Sequence, residues 1–519
     1  MASCASEYEA DLCILGTGVA GMLLAERAVA SGRRVTMIER GTMMTFEQRL
    51  QQKSHLDPLA FNTTPPMSPH DSPEREYEFA PVYNLGGSTN HFFGNMPRIH
   101  PAHFDAEAFG GANRRWPFRY AEIEPYYLQA EDRLRVCGHS EHTPFPGRFN
   151  YPLPPHRLSP MDRCCESIFG ADGVMPIPTV RPSRAVDQRP ACCGSNKCML
   201  CPVDSKGTAL NTVYPDIREK VEIRSGLLAT EIHCKDGRVD RVTTVAPDGT
   251  THCFRARQFV VACNGVDSCL LLQRSPDVPK HASLGRYYMD HPDFDLAIYA
   301  SGLESRPGYA DTAQTGMVTT FFEKLADDLP ISLLGEIKPG ILAGSPGAVG
   351  NGRDVVMNSL LARAVSGDGA SGVDLRTRFQ KEFHSIVYVR FLVETQPLAD
   401  NTVSIQRIEP SGQAVPLVRL RYPEYMGACI DRVQAYIRKR LPQADVRHVM
   451  NETGVQHWLG ATRMGETSAD GCVDGQLRYH ELENLYILSA STYPSCSSAN
   501  PTLTLAALAL RLADHLKAA

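Results

Sequence analysis

The stretch that decides the fold is ADLCILGTGVAG, at residues 10–21, close to the start of the chain. An apolar run that predicts a strand leads into the glycines, a helix-like stretch follows them, and residues 34–39 form a second apolar run. Gly16 permits a tight turn, Gly18 lets the backbone approach a pyrophosphate, and Gly21 lets the helix pack closely on the strand. This order of elements predicts a βαβ unit that binds a dinucleotide.

Glu39 ends the second apolar run. A carboxylate at that place accepts hydrogen bonds from ribose hydroxyls and disfavours a ribose that carries a 2′-phosphate. The helix that begins after Gly18 directs free N–H groups toward the phosphates. These features predict an ADP-ribose-type site and do not separate FAD from NAD. The alternative is a glycine-rich turn without a ligand.

A second glycine-rich stretch, NLGGSTNHFFGN at residues 84–95, favours a flavin. Small residues followed by polar ones suit a loop that lies against a flat ring system. The alternative is a plain turn before a strand. The predicted cofactor contacts in this stretch are Gly86, Gly87, Ser88, Asn90, His91 and Asn95.

Length and composition narrow the class of protein. The chain has 519 residues, which is enough for two domains or for one interleaved pair. Its net charge of -5 and the lack of a basic run argue against a nucleic-acid partner. No window of about eighteen apolar residues predicts a membrane span. The first residues lack a secretory signal pattern, so the sixteen cysteines are interpreted as mostly reduced thiols of a cytoplasmic protein.

Several motifs in a fixed order resemble the glucose–methanol–choline (GMC) oxidoreductases over nearly the whole chain. They are the two glycine-rich stretches with Glu39, FVVACNGVDSCLL at 259–271, LGRYYMDHP at 284–292, HWLGATRMG at 457–465, Val473-Asp474, NLYIL at 484–488 and ANPTLT at 499–504. Within the family, ANPTLT is similar to the pyranose 2-oxidase and FAD-dependent sugar dehydrogenase branch. Asn264 and Ser489 depart from the residues that are more common in the family.

The resemblance implies an α/β fold, α+β overall, in which a Rossmann-like FAD-binding domain is interleaved with an antiparallel-sheet substrate-binding domain. The FAD-binding domain is expected to be discontinuous, over 8–100, 203–295 and 448–519. The substrate-binding domain is expected over 101–202 and 296–447. The further FAD contacts that the resemblance implies are Ala229, Gly265, Ser489, Ala490, Pro501 and Thr502.

His457 and Asn500 are the predicted catalytic pair. A lone histidine in a loop is usually structural, but in this motif context the resemblance implies proton transfer. A neutral imidazole accepts a hydroxyl proton near neutral pH, and an amide holds the same oxygen without competing for the proton. In the same family a histidine placed like His91 is bonded covalently to the flavin or is its noncovalent neighbour, and both readings stay open.

Four cysteines lie within residues 189–202, RPACCGSNKCMLCP. Such density suits soft-metal ligation. The segment resembles one in FAD-dependent glucose dehydrogenases that holds a three-iron, four-sulfur (3Fe-4S) cluster, here through Cys192, Cys193 and Cys198. Cys201 matches that segment less well. The alternatives are a disulfide-prone loop and a zinc site.

The function expected from these motifs is FAD-dependent oxidation of a secondary hydroxyl of a sugar or glycoside. Two alternatives remain: a flavin-bearing lyase of the same family without net redox, and a dehydrogenase subunit that needs a partner chain. A small-molecule substrate is expected, and an electron-acceptor protein or small subunit is left open.

The alternation of apolar and polar residues predicts strands at 294–299, 316–322, 383–394 and 401–406, which form one antiparallel sheet. Residues 221–232 predict a pair of strands, and 426–441 and 505–516 predict helices. Hairpin turns are expected at 235–238 and 247–250. Long surface loops are expected at 47–78 and 340–352.

Overall fold

The computed structural model describes residues 6–54, 83–105, 115–195, 198–300, 314–338, 372–374, 376–377, 386–421, 423–452 and 457–518. Its strands, in chain order, are β1 (Ser6–Leu15), β2 (Val35–Glu39), β3 (Val174–Pro176), β4 (Glu222–Ser225), β5 (Leu228–Lys235), β6 (Arg238–Val245), β7 (Thr251–Val261), β8 (Asp293–Tyr299), β9 (Gly316–Val318), β10 (Leu333–Ile337), β11 (Ile386–Val393), β12 (Thr402–Ile408), β13 (Ala414–Arg419), β14 (Asp445–Glu452) and β15 (Leu485–Ile487). The helices are α1 (Val19–Ala30), α2 (Phe46–Ser54), α3 (Tyr120–Arg133), α4 (Pro160–Phe169), α5 (Ala209–Thr212), α6 (Tyr214–Ile217), α7 (Asp267–Arg274), α8 (Met426–Arg440) and α9 (Thr502–Ala518).

The first sheet is built on the βαβ unit that the sequence predicts. β1 lies between β2 and β7 and pairs parallel with both. β4 extends the sheet beyond β2, and β15 pairs parallel with the second half of β7. The end of β1, from Leu12 to Leu15, is buried. An apolar strand buried on both faces is typical of a parallel sheet covered by helices.

An antiparallel ribbon of β5, β6 and the first half of β7 completes this sheet. The turn between β5 and β6 places Asp236 and Gly237 at φ 51 and 74, which is the left-handed geometry that a two-residue hairpin requires. Both predicted hairpin turns are confirmed. The predicted pairing within 221–232 is wrong, because β4 pairs with β2 and β5 pairs with β6.

The C-terminal helix α9 covers this sheet together with α1 and α3. Ala506, Ala507 and Ala509 are fully buried, and their small side chains allow the helices to approach closely. The Tyr127 hydroxyl and Thr504 Oγ1 share a hydrogen bond of 2.7 Å between α3 and α9. The predicted C-terminal helix is therefore confirmed, and it packs with α1 and α3 as part of the layer on the first sheet.

The second sheet is antiparallel, in the order β14-β8-β11-β10-β9-β3. One of its faces, which includes Phe294, Val389 and Phe391, is apolar and packs on α4 and α8. The predicted antiparallel sheet is confirmed, and so is the predicted helix at 426–441. Two strand predictions need correction. Residues 401–406 belong to a separate hairpin of β12 and β13, and β9 ends at Val318 because a turn closes at Phe322.

The opposite face of the second sheet carries buried charges. Arg390 on β11 lies directly between Asp295 on β8 and Glu336 on β10. The Arg390 guanidinium donates two hydrogen bonds of 2.9 Å to the Asp295 carboxylate. Buried charges are tolerated when they are paired and hydrogen-bonded, so this face holds polar groups beneath the candidate active site.

The two predicted surface loops are largely untested. Residues 340–352, and 55–78 of the loop expected at 47–78, lie outside the described residues. The first residues of the latter loop form α2 instead, because Phe46–Ser54 continues as a regular helix. No helix within the described ranges is long and apolar enough to span a bilayer.

Candidate active site

The glycine-rich turn between β1 and α1 depends on close backbone contacts. Gly16 has φ +109, and a Cβ there would lie 2.4 Å from the Ala262 carbonyl oxygen. A Cβ on Gly21 would lie 2.5 Å from the Gly16 carbonyl oxygen. By contrast, a Cβ on Gly18 would meet no atom within 4 Å. The first two glycines are needed for packing, whereas Gly18 borders open space at the start of α1.

The Glu39 carboxylate joins the end of β2 to this turn. Glu39 Oε2 accepts hydrogen bonds from the Thr17 backbone N–H at 3.1 Å and from its hydroxyl at 2.6 Å. Glu39 Oε1 accepts another from the Gly41 N–H at 2.8 Å. Burial raises the pKa of Glu39, although these hydrogen bonds oppose the increase. The acid predicted for ribose therefore lies at the turn that the phosphates would approach.

The second glycine-rich loop packs directly on the first. A Cβ on Gly87 would lie 3.0 Å from the Gly18 Cα, and the Gly86 N–H donates to Thr17 Oγ1 at 3.3 Å. The Asn90 amide donates to Asn84 Oδ1 at 2.8 Å and to the Leu85 carbonyl at 2.9 Å. The two motifs that the sequence places far apart thus form one continuous backbone surface.

His457 reaches the site through a short strand-like pairing. Met289 and Leu459 exchange backbone hydrogen bonds of 2.9 and 3.0 Å. Gly460 has φ +90, and a Cβ there would lie 2.0 Å from the Tyr287 carbonyl oxygen. A Cβ on Gly265 would lie 2.1 Å from the Trp458 carbonyl oxygen. Close backbone contacts on both sides therefore fix the segment that carries His457.

His457 is hydrogen-bonded to a second histidine. Its Nδ1 lies 2.8 Å from the Nδ1 of His291, and the two rings are nearly perpendicular at 86°. Asp290 Oδ1 accepts the backbone N–H of both histidines, at 2.7 Å from His291 and 2.9 Å from His457. Asp290 and His291 are fully buried. One carboxylate thus ties together the two segments that carry the histidines.

Both histidines are held in the neutral form. Burial lowers the pKa of His457 well below its usual range, and the neighbouring His291 adds to the decrease. Burial also lowers the pKa of His291 to about 4, partly opposed by the Ser497 carbonyl and by Glu336. A neutral His457 has one ring nitrogen with a lone pair, which is what proton acceptance requires.

Asn500 lies in the segment that holds the far side of His291. The Nε2 of His291 is hydrogen-bonded to the Ser497 carbonyl and lies 2.9 Å from the Cys496 Sγ. Asn500 follows shortly afterwards and directly precedes Pro501 and the start of α9. Its Oδ1 is buried and has no hydrogen-bond partner among the described residues. His291 therefore connects the segments of His457 and Asn500.

Comparison with known proteins shows which proteins this chain resembles. Residues 397–509 match the family model described as GMC oxidoreductase. The chain therefore contains a GMC oxidoreductase C-terminal domain. It is 27% identical to the fructose dehydrogenase large subunit of Gluconobacter japonicus, over 98% of this chain and 97% of that protein. It is also 27% identical to a 6'''-hydroxyparomomycin C oxidase of Streptomyces lividus, over 98% and 92%.

Solved structures show the same fold. A pyridoxine 4-oxidase from Mesorbium loti aligns with a TM-score of 0.63 and 18% identity, over 99% of both chains. A formate oxidase aligns with a TM-score of 0.62 and 14% identity, over 100% of this chain and 99% of that one. The chain is a flavoprotein oxidoreductase that acts on CH–OH donors.

The turn and loop described above fit the FAD of a GMC oxidoreductase. Gly18 borders open space at the N-terminus of α1, and no side chain caps that helix. The Asn90 Oδ1 is buried without a hydrogen-bond partner among the described residues. A helix N-terminus with free N–H groups attracts phosphate, and a buried polar atom without a partner calls for a ligand. These residues would hold the cofactor's phosphates and flavin edge.

The other predicted FAD contacts have protein partners or lie on the surface. Asn95 donates to Glu336 Oε1 at 2.8 Å, and Ser489 Oγ accepts the Ser491 N–H at 3.2 Å. Ser88 is exposed, and Ala229 lies in the antiparallel ribbon on β5. Gly265 packs against the Trp458 carbonyl, which leaves no room for a Cβ. Their roles in FAD binding stay predictions, as do those of His91, Ala490, Pro501 and Thr502.

The predicted iron–sulfur site is not supported. The described parts of the chain contain no group of three or more His, Cys, Asp or Glu side chains that converge to hold a metal. Cys198 is buried and accepts a hydrogen bond of 3.3 Å from Arg181, whereas Cys193 is exposed. Cys192 and Cys201 are partly buried. The described residues therefore give no support for a metal cluster at these cysteines.

Sequence reasoning assigned no role to three buried groups around the site. His291 and Asp290 lie within a quoted family motif, so the motif offered a signal. Lys206 begins KGTALN at 206–211, which also resembles a family segment near the flavin. Its ammonium donates to the Asn90, Phe92 and Met199 carbonyls at 3.2, 2.7 and 3.2 Å. Burial lowers the pKa of Lys206 to about 7. Lys206 therefore joins the cysteine-rich segment to the loop that would hold the flavin.

Proposed function

We propose that this chain oxidises a secondary hydroxyl of a sugar or glycoside-like alcohol to a ketone, with His457 as the base. The observation that carries the proposal is the neutral His457 imidazole, which His291 holds through Nδ1. The unpartnered amide oxygen of Asn500 follows the 496–497 segment that contacts His291. FAD, when bound, accepts the hydride from the carbinol carbon. The chain's task is to hold the alcohol and to remove its proton.

His457 is suited to that proton transfer. Its lowered pKa leaves the ring neutral at pH 7, so it does not need to lose a proton before it accepts one. Because its backbone is fixed by Asp290 and its ring by His291, little reorganisation is needed when the substrate hydroxyl arrives. The proton of the hydroxyl would move to His457 while the hydride leaves the same CH–OH group.

Asn500 is proposed to hold the substrate oxygen. Its amide donates a hydrogen bond without competing for the proton, and its buried Oδ1 is left for a hydroxyl hydrogen of the substrate. A buried acceptor without a partner is costly, so a ligand that supplies the missing donor gains that energy on binding. This is the chemistry expected of a polyol or sugar substrate.

The names of the relatives support a sugar-like substrate. Fructose dehydrogenase and paromamine 6'-oxidase, the latter 27% identical over 97% of this chain, are named for a sugar and an amino sugar. We place the chain in the sugar-oxidising branch of the family on this basis. We also propose the discontinuous FAD-binding and substrate-binding domains that the sequence predicts. The named relatives are oxidases and dehydrogenases, which favours redox chemistry over the lyase alternative.

A dehydrogenase that passes its electrons to a partner chain is the second candidate. The fructose dehydrogenase relative is named as a large subunit, and it is similar over 98% of this chain. Turnover with an artificial electron acceptor, but not with oxygen, would favour this candidate. Rapid hydrogen peroxide formation by the isolated chain would favour an oxidase.

Anaerobic bleaching of the flavin absorbance tests the proposed activity. The purified flavoprotein is mixed with a panel of ketoses, aldoses, amino sugars and simple primary and secondary alcohols. Loss of the oxidised flavin band with a sugar, together with a keto-sugar product, supports the proposal. Bleaching by simple alcohols alone, with no response to any sugar of the panel, contradicts it.

A further inference from the structure

His291 is the buried group whose contacts decide which nitrogen of His457 is free to act. It contacts His457 with one ring nitrogen and the 496–497 segment with the other. It is fully buried and is not placed against the substrate by any contact described above. One of its ring nitrogens is thus hydrogen-bonded to His457 and the other to the Ser497 carbonyl.

The partner of His291 Nε2 fixes the first proton. The Ser497 carbonyl oxygen is hydrogen-bonded to this nitrogen, and a carbonyl oxygen only accepts. Because a hydrogen bond needs one donor, Nε2 carries the hydrogen. A neutral imidazole has one N–H, and His291 is neutral because burial lowers its pKa to about 4. His291 Nδ1 is therefore an acceptor.

The second proton follows from the first. His457 Nδ1 lies 2.8 Å from His291 Nδ1, so the hydrogen between them must belong to His457. His457 is neutral, and its Nε2 then carries the lone pair. A free histidine in water prefers to carry its hydrogen on Nε2 instead, so without His291 the lone pair of His457 would mostly lie on the wrong side of the ring.

The opposite arrangement is less favourable. Cys496 Sγ lies 2.9 Å from His291 Nε2 and 2.9 Å from the Ser497 carbonyl oxygen. A thiol that donated to His291 would place the hydrogen of His291 on Nδ1 and would leave the Ser497 carbonyl facing a lone pair. The thiol is a weak donor and the carbonyl a strong acceptor, so the carbonyl determines the outcome.

We propose that His291 is a positioning residue that holds His457 in the tautomer with a hydrogen on Nδ1 and a lone pair on Nε2. Asp290 supports this arrangement, because its Oδ1 accepts hydrogen bonds from the backbone N–H groups of both histidines. The proposal rests on the proposed role of His457. In the reaction the substrate hydroxyl proton moves to His457 Nε2, and the Nδ1 hydrogen stays directed at His291.

Two variants at position 291 separate this role from simple packing. His291→Leu removes the acceptor, whereas His291→Asn places an amide oxygen near the position of Nδ1. We expect His291→Leu to slow anaerobic flavin reduction by about 100-fold, the lower end of what a general base contributes. His291→Asn should regain about tenfold of that loss, because an acceptor is restored at slightly altered geometry. Flavin content should stay unchanged in both. Equal losses in the two variants, or no loss in either, would overturn the proposal.

A double variant makes the test independent of general damage. In a His457→Ala background, His291→Leu should change the reduction rate by less than about twofold, because residues that act as a unit are not additive. A further large loss in that background would mean that His291 acts through packing. If His457→Ala itself reduces its flavin at the unaltered rate, the proposed base is wrong. If only His291→Leu is silent, the positioning role alone fails.

A spectroscopic measurement covers the case in which His291→Leu does not fold. Nitrogen-15 NMR of the unaltered, histidine-labelled protein distinguishes protonated from unprotonated ring nitrogens, and the signals missing in His457→Ala assign that residue. A protonated Nδ1 and an unprotonated Nε2 on His457 support the proposal. The reverse pattern overturns it.

Discussion

The two halves of the active site are held together in different ways. Around residues 16–21, the backbone itself forms the surface, and Gly16 and Gly21 leave no room for a Cβ. Around His291, polar groups from three distant segments meet. They are the side chains of Asp290 and His291 before β8, the ring of His457, and the backbone carbonyl of Ser497 before α9. A substitution in the first half should therefore weaken FAD binding, and a substitution in the second half should slow the reduction of the flavin.

The largest expected effect tests the first half of that comparison. Gly16→Ala places a Cβ 2.4 Å from the Ala262 carbonyl oxygen at φ +109, so we expect destabilisation by about 3 kcal/mol or more and loss of FAD. Gly18→Ala is the matched control, because its Cβ meets no protein atom. It should fold normally and bind FAD more weakly. Thermal melting and flavin content measure both, and equal stability of the two variants would contradict the account.

A smaller effect is expected at Asn500 in the second half. Asn500→Ala should lower the rate of flavin reduction by about 100-fold, the range seen when one donor to a reacting oxygen is removed. FAD content should stay normal, because Asn500 is proposed to hold the oxygen of the substrate and not the flavin. Stopped-flow reduction measures the rate. A rate unchanged from the original protein would remove Asn500 from the site.

Gly265 is a close backbone contact of the first kind that supports the second half of the site, because it packs against the residue next to His457. Gly265→Ala places a Cβ 2.1 Å from the Trp458 carbonyl oxygen and should displace the neighbouring His457. We expect about 1–3 kcal/mol of destabilisation from overpacking. The rate of flavin reduction should also fall, while Glu39 and the glycine turn are untouched. Denaturant unfolding and stopped-flow reduction check both effects, and a change in stability with no change in rate would separate Gly265 from His457.

A further expected effect is a dependence of stability on pH. His291 has its pKa lowered by burial to about 4, whereas in the unfolded chain it titrates near 6.5. The unfolded state therefore binds more protons between these values, and the free energy of unfolding should fall as the pH falls from 6.5 toward 4. His457 shifts in the same direction. Denaturant unfolding at several pH values checks this, and in His291→Asn the decrease should be smaller.

The first half could be predicted from the sequence because its information is local. Gly16, Gly18, Gly21 and Glu39 lie within one βαβ unit, and backbone geometry dictates their spacing. The fold class was implied by the family resemblance, and the βαβ unit and the alternation in the strands of the second sheet agree with it. The separate hairpin of β12 and β13 could not be predicted, because alternation does not reveal the partner of a strand.

The second half could be predicted only in part. His457 and Asn500 were found through a family motif, but the contacts of His457 depend on pairing between residues far apart in the chain. The iron–sulfur interpretation of Cys192, Cys193 and Cys198 found no support, because spacing along the chain does not specify how side chains are arranged around a metal. Cys198, for example, accepts a hydrogen bond from Arg181, which lies outside the motif.

Single-turnover reduction of the bound flavin by a sugar substrate tests the central claim most directly. His457→Ala is compared with the original protein and with His448→Ala, which alters an exposed histidine on β14. The account predicts that His457→Ala keeps its FAD and loses about 10²–10⁴-fold in the rate of reduction, while His448→Ala changes little. Reduction of His457→Ala at the rate of the original protein would contradict it.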